Sequence, residues 1–449
     1  MTVVGLDDTD SRERGMCTTY VATEIAAALS ERDDVTVDRL VLVRLNPAVR
    51  YKTRGNAALA IHIEDDPDVA FSVARDVLEK RSETADERTN PGLVVADHDP
   101  DAVPDRVRSF AMDAIREQLT IEDAVTVATD SGYRHWGLGN GRGRIGALAA
   151  IGAWAALEDW TYEYISYREP ARWGTPRAVD EESVFTAADR GYPTVWDTID
   201  RGEGETVCVP HTPGPILHGI RGDDPEVVRT VANTIESEPV DGRQLFVTNQ
   251  GTDVHLRNHG SLRFASEPID GRAYRLEGWV ASEPATRRGG HVFFELAGEP
   301  PAAGDGAEGS NTPIDETATG TSPRLTCAAF EPTKRFRDRV RSLHVGDRIT
   351  ACGEVSGGTL KLEKFAVRDL VRTERVTPTC SSCGRRMKSA GRNQGYRCRD
   401  CGTSAEEKVD RLLERDLEIG WYEVPPCARR HIAKPLVRGG FDGPTHPER

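Results

Sequence analysis

Four cysteines near the C-terminal end of the chain constrain its fold more than any other feature of the sequence. They form two Cys-x2-Cys pairs separated by 14 residues: Cys380, Cys383, Cys398 and Cys401. Two such knuckles at this spacing place four thiolates at the corners of the tetrahedron that Zn²⁺ prefers. Two independent buried or redox pairs are the alternative, which the spacing and the neighbouring Arg385 and Arg386 disfavour. A site closed by four cysteines is structural, so we expect a zinc ribbon that holds basic residues against phosphates.

The charge of the chain is unevenly distributed, and the cysteine-rich end is its basic part. Over 449 residues the formal net charge is −15, with 8 Lys against 50 Arg. Residues 376–449 contain 14 Lys and Arg against 10 Asp and Glu, a net charge of +4, so the remainder carries −19. Acidity with few lysines is typical of proteins from high-salt cytoplasms, where molar salt shortens the Debye length to about 3 Å. The net charge therefore does not exclude a nucleic-acid partner, although at ordinary ionic strength it would argue against one.

The sequence contains no signal for a membrane or for secretion. No stretch approaches the roughly 18 consecutive apolar residues of a membrane span. The first ten residues run from a short apolar segment into carboxylates, unlike the basic and then apolar start of a signal peptide. We therefore expect a cytoplasmic protein with no membrane partner, whose cysteines are not paired in disulfides.

Hydrophobic periodicity divides the first 260 residues into two parts. In the first, strands are predicted at residues 2–6, 40–44, 57–63 and 124–129, and helices at 18–29, 69–80 and 104–118. In the second, helices at 145–157 and 225–237 lie among strands at 161–167, 216–220 and 244–248. The first pattern indicates an α/β or α+β domain, and the second a ferredoxin-like α+β domain.

From residue 273 the pattern changes to strands without helices. Five are predicted, at residues 274–280, 291–296, 325–330, 348–355 and 359–367. Five strands with Gly-rich turns are typical of an OB-fold β-barrel. Residues 298–323, between the second and third strands, hold five Asp or Glu and no Lys, Arg or aromatic residue, so we expect a disordered insertion.

The predicted fold class is therefore multidomain α+β. The expected domains are an α/β domain at 1–132, a ferredoxin-like domain at 133–260, an OB-fold at 261–372 with its insertion at 298–323, and a zinc ribbon with a basic C-terminal tail at 373–449.

Three carboxylates follow the first predicted strand. Asp7, Asp8 and Asp10 lie within four residues, where they repel one another unless a cation lies among them. Mg²⁺ held by one or two carboxylates together with substrate phosphates is the usual solution. An Asp-rich turn in an acidic protein is the alternative.

A hydroxyl-bearing residue opens the helix that follows. Thr18 could cap that helix. Alternatively, its hydroxyl, at a helix N-terminus close to the aspartates, could accept a phosphoryl group.

Two further segments are candidates for phosphate binding. The loop at residues 50–56 carries Lys52, one of only eight lysines, and Arg54, although it could equally be a solvated charge run. Residues 137–146 contain Gly141, Gly143 and Arg144 ahead of an apolar helix. The literal GxGxxG in this run lacks the preceding strand of a dinucleotide fingerprint, so we reject that function. An anion cradle is favoured over a flexible interdomain loop.

The C-terminal segment mixes basic and aromatic residues. Trp421 and Tyr422 precede the run Pro425–Pro435, which contains Arg429, Arg430 and Lys434. This mixture suits contacts with a nucleic-acid backbone and stacking on bases. A solvated tail is the alternative.

Taken in order, several motifs resemble those of the archaeal isoleucine-tRNA 2-agmatinylcytidine synthetases, the TiaS family. The resemblance covers essentially the whole chain and includes the cysteine ribbon. The matching segments are Gly5-Leu6-Asp7-Asp8-Thr9-Asp10-Ser11, residues 15–20, Arg44-Leu45-Asn46-Pro47, Lys52-Thr53-Arg54-Gly55-Asn56, Gly143-Arg144-Ile145-Gly146 with the four residues after it, Gly219-Ile220-Arg221-Gly222 and Thr248-Asn249-Gln250-Gly251-Thr252-Asp253.

The resemblance implies an ATP-dependent ligase that joins agmatine to C2 of the wobble cytidine in an isoleucine tRNA with a CAU anticodon, so that the tRNA decodes AUA. It implies a kinase-like ATP and Mg²⁺ domain at 1–132 and an agmatine site on the side of the ferredoxin-like domain. The family's autophosphorylated threonine falls on Thr18.

The resemblance also distributes roles among the motif residues. Asp7, Asp8 and Asp10 are expected to be catalytic, with Asp8 and Asp10 on Mg²⁺. The residues expected to bind phosphates are Lys52, Arg54, Gly141, Gly143 and Arg144. Agmatine is expected near the loop residues Thr212, Pro213 and Gly214. Zinc is expected on the four ribbon cysteines.

A non-catalytic nucleic-acid-binding protein built from the same OB-fold and zinc ribbon is the competing hypothesis. It accounts for the C-terminal half of the chain. It assigns no purpose to Asp7, Asp8, Asp10, Thr18 and Lys52.

Overall fold

The computed structural model describes residues 1–32, 35–50, 52, 55–263, 267–300, 323–391 and 394–449. The first part of the chain contains β1 (Thr2–Asp7), α1 (Thr18–Ser30), β2 (Thr36–Arg44), β3 (Ala57–Glu64), α2 (Pro67–Arg81), β4 (Gly92–Asp97), α3 (Asp105–Arg116), α4 (Ile121–Asp130) and β5 (Arg134–Gly137). The strands lie in the order β5-β4-β1-β3-β2, and each neighbouring pair is antiparallel.

Helices cover both faces of this sheet. Val3 of β1 belongs to one core, with α3, α4 and the later helix Arg144–Ala156, whereas Val4 of the same strand belongs to the other, with α1 and α2. Successive side chains of a strand point to opposite faces, so a sheet buried on both sides needs continuous apolar runs. The sequence supplies such a run in Thr2–Asp7, whose first five residues are all buried.

One predicted element is wrong: residues 124–129, which we expected to form a strand, lie in helix α4. The helix is nucleated by a capping box, in which Thr120 Oγ1 accepts from the Asp123 amide at 3.1 Å and Asp123 Oδ2 accepts from the Thr120 amide at 3.0 Å. Ala124 and Ala128, one helical turn apart, are both buried. The cap and this packing outweigh the strand preference of the valines and threonines in the segment.

The second part contains α5 (Arg144–Ala156), β6 (Thr161–Arg168), α6 (Glu181–Gly191), β7 (Val195–Trp196), β8 (Ile216–Gly222), α7 (Pro225–Thr234) and β9 (Val240–Thr248). Its strands lie in the order β9-β6-β8-β7 and are antiparallel. β9 also pairs in parallel with β2, through Val41 with Val247 and Leu42 with Thr248. The two parts therefore share one nine-stranded sheet.

Helix α5 belongs by sequence to the second part of the chain, but it packs on the sheet of the first part. A Cβ added to Gly5 would lie 2.1 Å from the carbonyl oxygen of Ala147 in α5, and one added to Gly92 would lie 2.0 Å from the amide nitrogen of Arg144. A Cβ on Gly146 would lie 2.0 Å from Asp7 Oδ2. The glycines thus allow the start of α5 to approach β1 and β4 at backbone distance.

The third part forms the predicted five-stranded barrel. Its elements are β10 (Leu256–Ser261), β11 (Ala273–Val280), β12 (Ala285–Thr286), β13 (Val292–Ala297), β14 (Arg324–Ala329), α8 (Phe336–Arg341), β15 (Arg348–Ser356) and β16 (Thr359–Asp369). The barrel closes in the order β11-β13-β14-β16-β15 and back to β11. The predicted insertion falls between β13 and β14, and its residues 301–322 lie outside the described residues.

The rest of the chain divides between the ribbon and the barrel. Its strands are β17 (Thr373–Val376), β18 (Lys388–Ser389), β19 (Tyr396–Arg397), β20 (Ser404–Ala405), β21 (Val409–Leu412), β22 (Gly420–Glu423) and β23 (Thr445–His446). β17 pairs with β21, so the ribbon leaves and rejoins the barrel through one two-stranded stalk. β22 pairs with β16, and Trp421 and Tyr422 are only 1% and 5% exposed. The expectation that these two rings stack on bases is therefore wrong, because they are already buried in the protein.

The glycine contact between β1 and α5 gives a test of the fold. We expect Gly5→Ala to destabilise the protein by about 1–3 kcal/mol or more, because its Cβ meets backbone that a side-chain rotation cannot move. Gly242→Ala is the matched control, since nothing lies within 4 Å of its added Cβ. Thermal unfolding at high salt measures both, and equal melting temperatures for the two variants would contradict the close packing.

Candidate functional site

A cavity of about 440 Å³ opens where β1 and β2 meet β6 and β8. It therefore lies across the joint between the two parts of the nine-stranded sheet. Six of the residues predicted from the sequence line it: Asp7, Asp8, Asp10, Thr18, Lys52 and Gly143. The C-terminal segment also reaches it through Cys427 and His431.

The aspartate loop faces the start of helix α5. Burial, followed by the charge of Asp8, raises the pKa of Asp7 well above its usual value. Asp8 is held at a backbone φ of 62° and pairs with Arg142 at 2.7 Å. Burial also raises the pKa of Asp8, although Arg142 opposes that shift. The Arg142 guanidinium offsets only part of the negative charge of Asp7 and Asp8, which favours a bound cation.

Thr18 is the first residue of α1 and is 6% exposed. Its Oγ1 lies 3.1 Å from Thr9 Oγ1, which donates to it. The cap position belongs to Cys17, whose side chain makes no capping hydrogen bond. The capping alternative for Thr18 is therefore not what the structure shows, and its hydroxyl lies at a helix N-terminus that faces the cavity.

The predicted phosphate-binding residues do not all line the cavity. Lys52 lines the cavity, and burial followed by the charge of Arg430 lowers its pKa. Arg54 lies outside the described residues. Gly143 lines the cavity, whereas Arg144 turns back so that its Nε donates to the Gly141 carbonyl at 2.9 Å. Gly141 occupies the turn before α5 at a φ of 66°.

The loop at Thr212–Gly214 lies beside the cavity without lining it. The Thr212 carbonyl accepts from Arg177 at 2.9 Å, and Gly214 packs against Gly15 ahead of α1. The wall on this side of the cavity consists of the preceding residues, including Glu205, Cys208, Pro210 and His211.

Sequence reasoning missed a polar cluster at the centre of the cavity. Arg44, Glu163 and His431 line it, and Gln250 lies behind them. Arg44 Nη2 lies 3.7 Å from Glu163 Oε2, and Gln250 Nε2 donates to the same oxygen at 2.5 Å. The segments around Arg44 and Gln250 stood out as motifs, but nothing local assigned them a role. His431 lies in the segment that we interpreted as an RNA-binding tail.

Within the described residues, two clusters of three or more potential ligand side chains bring their ligand atoms within 4.8 Å of one another. One is the ribbon, and the other is Asp253, His255 and Glu363. Asp253 in the second cluster already accepts from Lys364 Nζ at 2.7 and 2.8 Å, so the lysine ammonium group takes the place of a metal ion. The aspartates of the cavity form no such cage, which suits a metal that reaches them together with phosphates.

The ribbon cysteines have the geometry of a zinc site. Sγ–Sγ distances are 3.3 Å for Cys380 and Cys401, 3.5 Å for Cys383 and Cys398, and 3.8 Å for Cys383 and Cys401. A tetrahedron with Zn–S bonds of about 2.3 Å has edges of about 3.8 Å. The donor set and its spacing therefore fit Zn²⁺, which would tie the two knuckles together.

Three regions of the chain match models of one protein family. Residues 3–68 and 62–140 match the TiaS TCKD domain, residues 141–255 the TiaS FLD domain, and residues 377–417 the TiaS C-terminal zinc ribbon domain. The isoleucine-tRNA 2-agmatinylcytidine synthetase TiaS of Haloquadratum walsbyi is 55% identical over 100% of both chains. The chain belongs to the TiaS family. This confirms the resemblance seen in the motifs.

Solved structures of the family share the fold. A complex of TiaS with an isoleucine tRNA and ATP superimposes with a TM-score of 0.85 at 40% identity, covering 100% of this chain and 99% of that one. A complex of TiaS with the same tRNA, AMPCPP and agmatine gives 0.82 at 38% identity with the same coverage. In the part of the chain that the structure describes, no helix is both long and apolar enough to cross a membrane.

The ribbon geometry predicts the effect of losing one zinc ligand. We expect Cys380→Ser to lose bound zinc and hydrogen-exchange protection in the ribbon, because metal binding supplies about 10–16 kcal/mol to the folding of comparable domains. The remaining domains should keep their melting temperature, since the ribbon core of Cys380, Met387 and Cys398 is separate from the others.

The matched control for this experiment is Ser381→Ala, an exposed neighbour that should keep its zinc. Zinc content by elemental analysis and amide exchange by mass spectrometry are the measurements. Full zinc content in Cys380→Ser would refute the four-cysteine site.

Proposed function

We propose that this chain uses ATP to attach agmatine to C2 of the wobble cytidine of the isoleucine tRNA that has a CAU anticodon. The observation that carries the proposal is the meeting of Asp7, Asp8, Asp10, Thr18 and Lys52 in one cavity of a TiaS-family chain. Solved structures of relatives hold an isoleucine tRNA, ATP or its analogue, and agmatine. The reaction takes place in the cytoplasm, in keeping with nine cysteines that form no disulfide in the described part of the chain.

Each domain has a part in this reaction. Residues 1–132 form the kinase-like domain that holds ATP. Residues 133–260 form a ferredoxin-like domain, supported by the strand order β9-β6-β8-β7, which is the 4-1-3-2 order of that fold. Residues 261–372 form an OB-fold, and residues 373–449 carry the zinc ribbon. The barrel and ribbon grip the tRNA through phosphates and stacking.

The aspartate loop would hold Mg²⁺ through Asp8 and Asp10, with Asp7 beside them. The raised pKa of Asp7 and Asp8 supports this role, because carboxylates that are costly to ionise gain most from a divalent cation. When bound, Mg²⁺ would neutralise the ATP phosphates. Lys52, Arg54 and the amides of the glycine turn would bind the remaining phosphate oxygens.

Activation of the cytosine explains why a phosphoryl group is needed. The C2 oxygen is a poor leaving group, and phosphorylating it allows an amine to attack C2 and expel phosphate. Thr18 is the first residue of α1, where the free amides of the helix N-terminus stabilise an anion. Its hydroxyl is therefore suited to accept a phosphoryl group.

Agmatine is a dication and needs acidic surroundings. Glu205 and Glu163 are the glutamates of the cavity wall on the ferredoxin-like side. Glu163 is engaged by Arg44 and Gln250, whereas Glu205 makes no ion pair within 4.0 Å among the described residues, although Lys334 is close enough to interact electrostatically. We therefore place one cationic end of agmatine at Glu205, with the Thr212–Gly214 loop behind that wall.

A non-catalytic nucleic-acid-binding protein is not favoured. A buried carboxylate loop beside a threonine that lines the same cavity costs stability and would serve no purpose in such a protein.

The role of Thr18 predicts a loss of chemistry without a loss of fold. We expect Thr18→Ala to abolish transfer of labelled agmatine into a transcript of the isoleucine tRNA, because the hydroxyl is removed. Thr18→Ser should restore part of the rate.

Thr23→Ala, one turn further along α1 and outside the cavity lining, is the control and should remain active. Transfer is measured by nucleoside analysis at high salt. A fully active Thr18→Ala variant would refute the assignment.

The stalk of β17 and β21 predicts what the ribbon contributes. Val376 and Val409 are paired, so residues 377–408 can be replaced by an Asn-Gly turn that closes the hairpin. We expect this variant to lose affinity for tRNA but to retain ATP binding, because residues 418–449, which complete the barrel and the cavity, are kept. Filter binding of tRNA and of labelled ATP measures the two affinities, and undiminished tRNA affinity would show that the ribbon plays no part.

A further inference from the structure

His431 is carried into the cavity by the C-terminal segment and is held firmly there. Its carbonyl oxygen accepts from the Gly251 amide at 2.8 Å, and the next carbonyl, of Ile432, accepts from the amides of Thr252 and Asp253 at 3.2 and 3.0 Å. Ile432 itself is 3% exposed and belongs to the hydrophobic core of the kinase-like domain. The backbone that carries the imidazole is therefore fixed at the cavity wall.

A chain of hydrogen bonds favours the tautomer of His431 that is protonated at Nδ1. The Glu163 carboxylate can only accept, so the Gln250 group 2.5 Å from it is the amide nitrogen, which donates. Gln250 Oε1 then faces His431 Nδ1 at 3.0 Å and can only accept. With Gln250 Oε1 as its acceptor, His431 Nδ1 donates and Nε2 carries the lone pair, and Arg44 Nη2 is then paired with Gln250 Oε1 and not with Nδ1.

The surroundings also keep this imidazole neutral. Burial, followed by the charges of Arg221 and Arg44, lowers the pKa of His431 well below its usual value. Arg44 Nη2 lies 3.3 Å from His431 Nδ1 and 3.3 Å from Gln250 Oε1, where it adds a second donor to that oxygen. No hydrogen bond from the described residues reaches Nε2, so its lone pair is available on a ring that lines the cavity.

We propose that His431 Nε2 accepts a proton from the agmatine nitrogen as that nitrogen attacks C2. This inference rests on the proposed function. In the step, the bond between nitrogen and C2 forms, the bond between C2 and the phosphorylated oxygen breaks, and phosphate leaves with the electron pair. The attacking nitrogen is the neutral amine, which forms when the ammonium group of agmatine loses one proton to solvent. The second proton, lost on attack, passes to Nε2. Glu163 and Gln250 are positioning residues, since they act through the orientation of the ring.

Two substitutions separate proton acceptance from positioning. His431→Asn retains an amide donor near Nδ1 for Gln250 but has no atom at Nε2, whereas His431→Ala removes both and leaves a space for added imidazole. For both variants we expect agmatine transfer to fall roughly 10²–10⁴-fold. ATP- and Mg²⁺-dependent labelling of the protein by γ-phosphate should be unchanged. Imidazole should restore transfer by His431→Ala, whereas pyrazole, which has the same size but is far less basic, should not.

The outcomes distinguish this inference from the proposed function. Wild-type transfer by His431→Asn, or equal rescue of His431→Ala by imidazole and pyrazole, would overturn the role of His431 and leave the proposed function standing. No transfer by the unaltered chain would overturn both.

Discussion

The parallel pairing of β2 with β9 is the contact on which the rest of the structure depends. It spans only two residue pairs, but the side chain of Asn249 extends it. Asn249 Oδ1 accepts from the Arg44 amide at 2.7 Å, and its Nδ2 donates to the Arg44 carbonyl at 3.0 Å, so the side chain imitates one more residue of strand. This joint makes two α+β units into one sheet and opens the cavity between them.

The C-terminal segment reinforces that joint from a third direction. Lys364 of the barrel, 1% exposed, donates to Asp253 and to the carbonyl of Lys434 at 2.7 Å. The charges that link barrel, cavity and C-terminal segment are thus buried and paired, and salt screens such pairs much less than it screens exposed ones. The same chain can therefore carry an acidic surface suited to high salt and an internal network of ion pairs that high salt weakens little.

Local signals predicted the parts of the site that are local in sequence. Asp7 ends β1, Asp8 and Asp10 follow it, and Thr18 opens the next helix, so their shared placement could be predicted from a dozen residues. The same holds for the barrel strands and the cysteine knuckles. The excess glycine before α5 could be predicted only in part, because Gly143 permits backbone contact with β1 and β4, and Gly146 leaves room for the Asp7 side chain.

The missed residues were missed for the opposite reason. Arg44 and His431 are separated by 387 positions, and their meeting depends on tertiary packing that no periodicity reveals. From the sequence, the charged C-terminal segment was interpreted as a surface tail, because the apolar residues that it packs against lie in distant strands. The strand predicted for residues 124–129 is wrong because a capping box outweighs the strand propensity of the segment.

The position of His431 also has a consequence for synthesis on the ribosome. A nascent chain can fold its N-terminal units before the barrel emerges, since domains generally fold in order of their appearance. The cavity, however, is incomplete until the segment with Cys427 and His431 has left the exit tunnel. A chain that stops short of this segment can fold its N-terminal units and still lack this part of the cavity lining. The proposed role of His431 therefore makes translation through this segment a condition of activity.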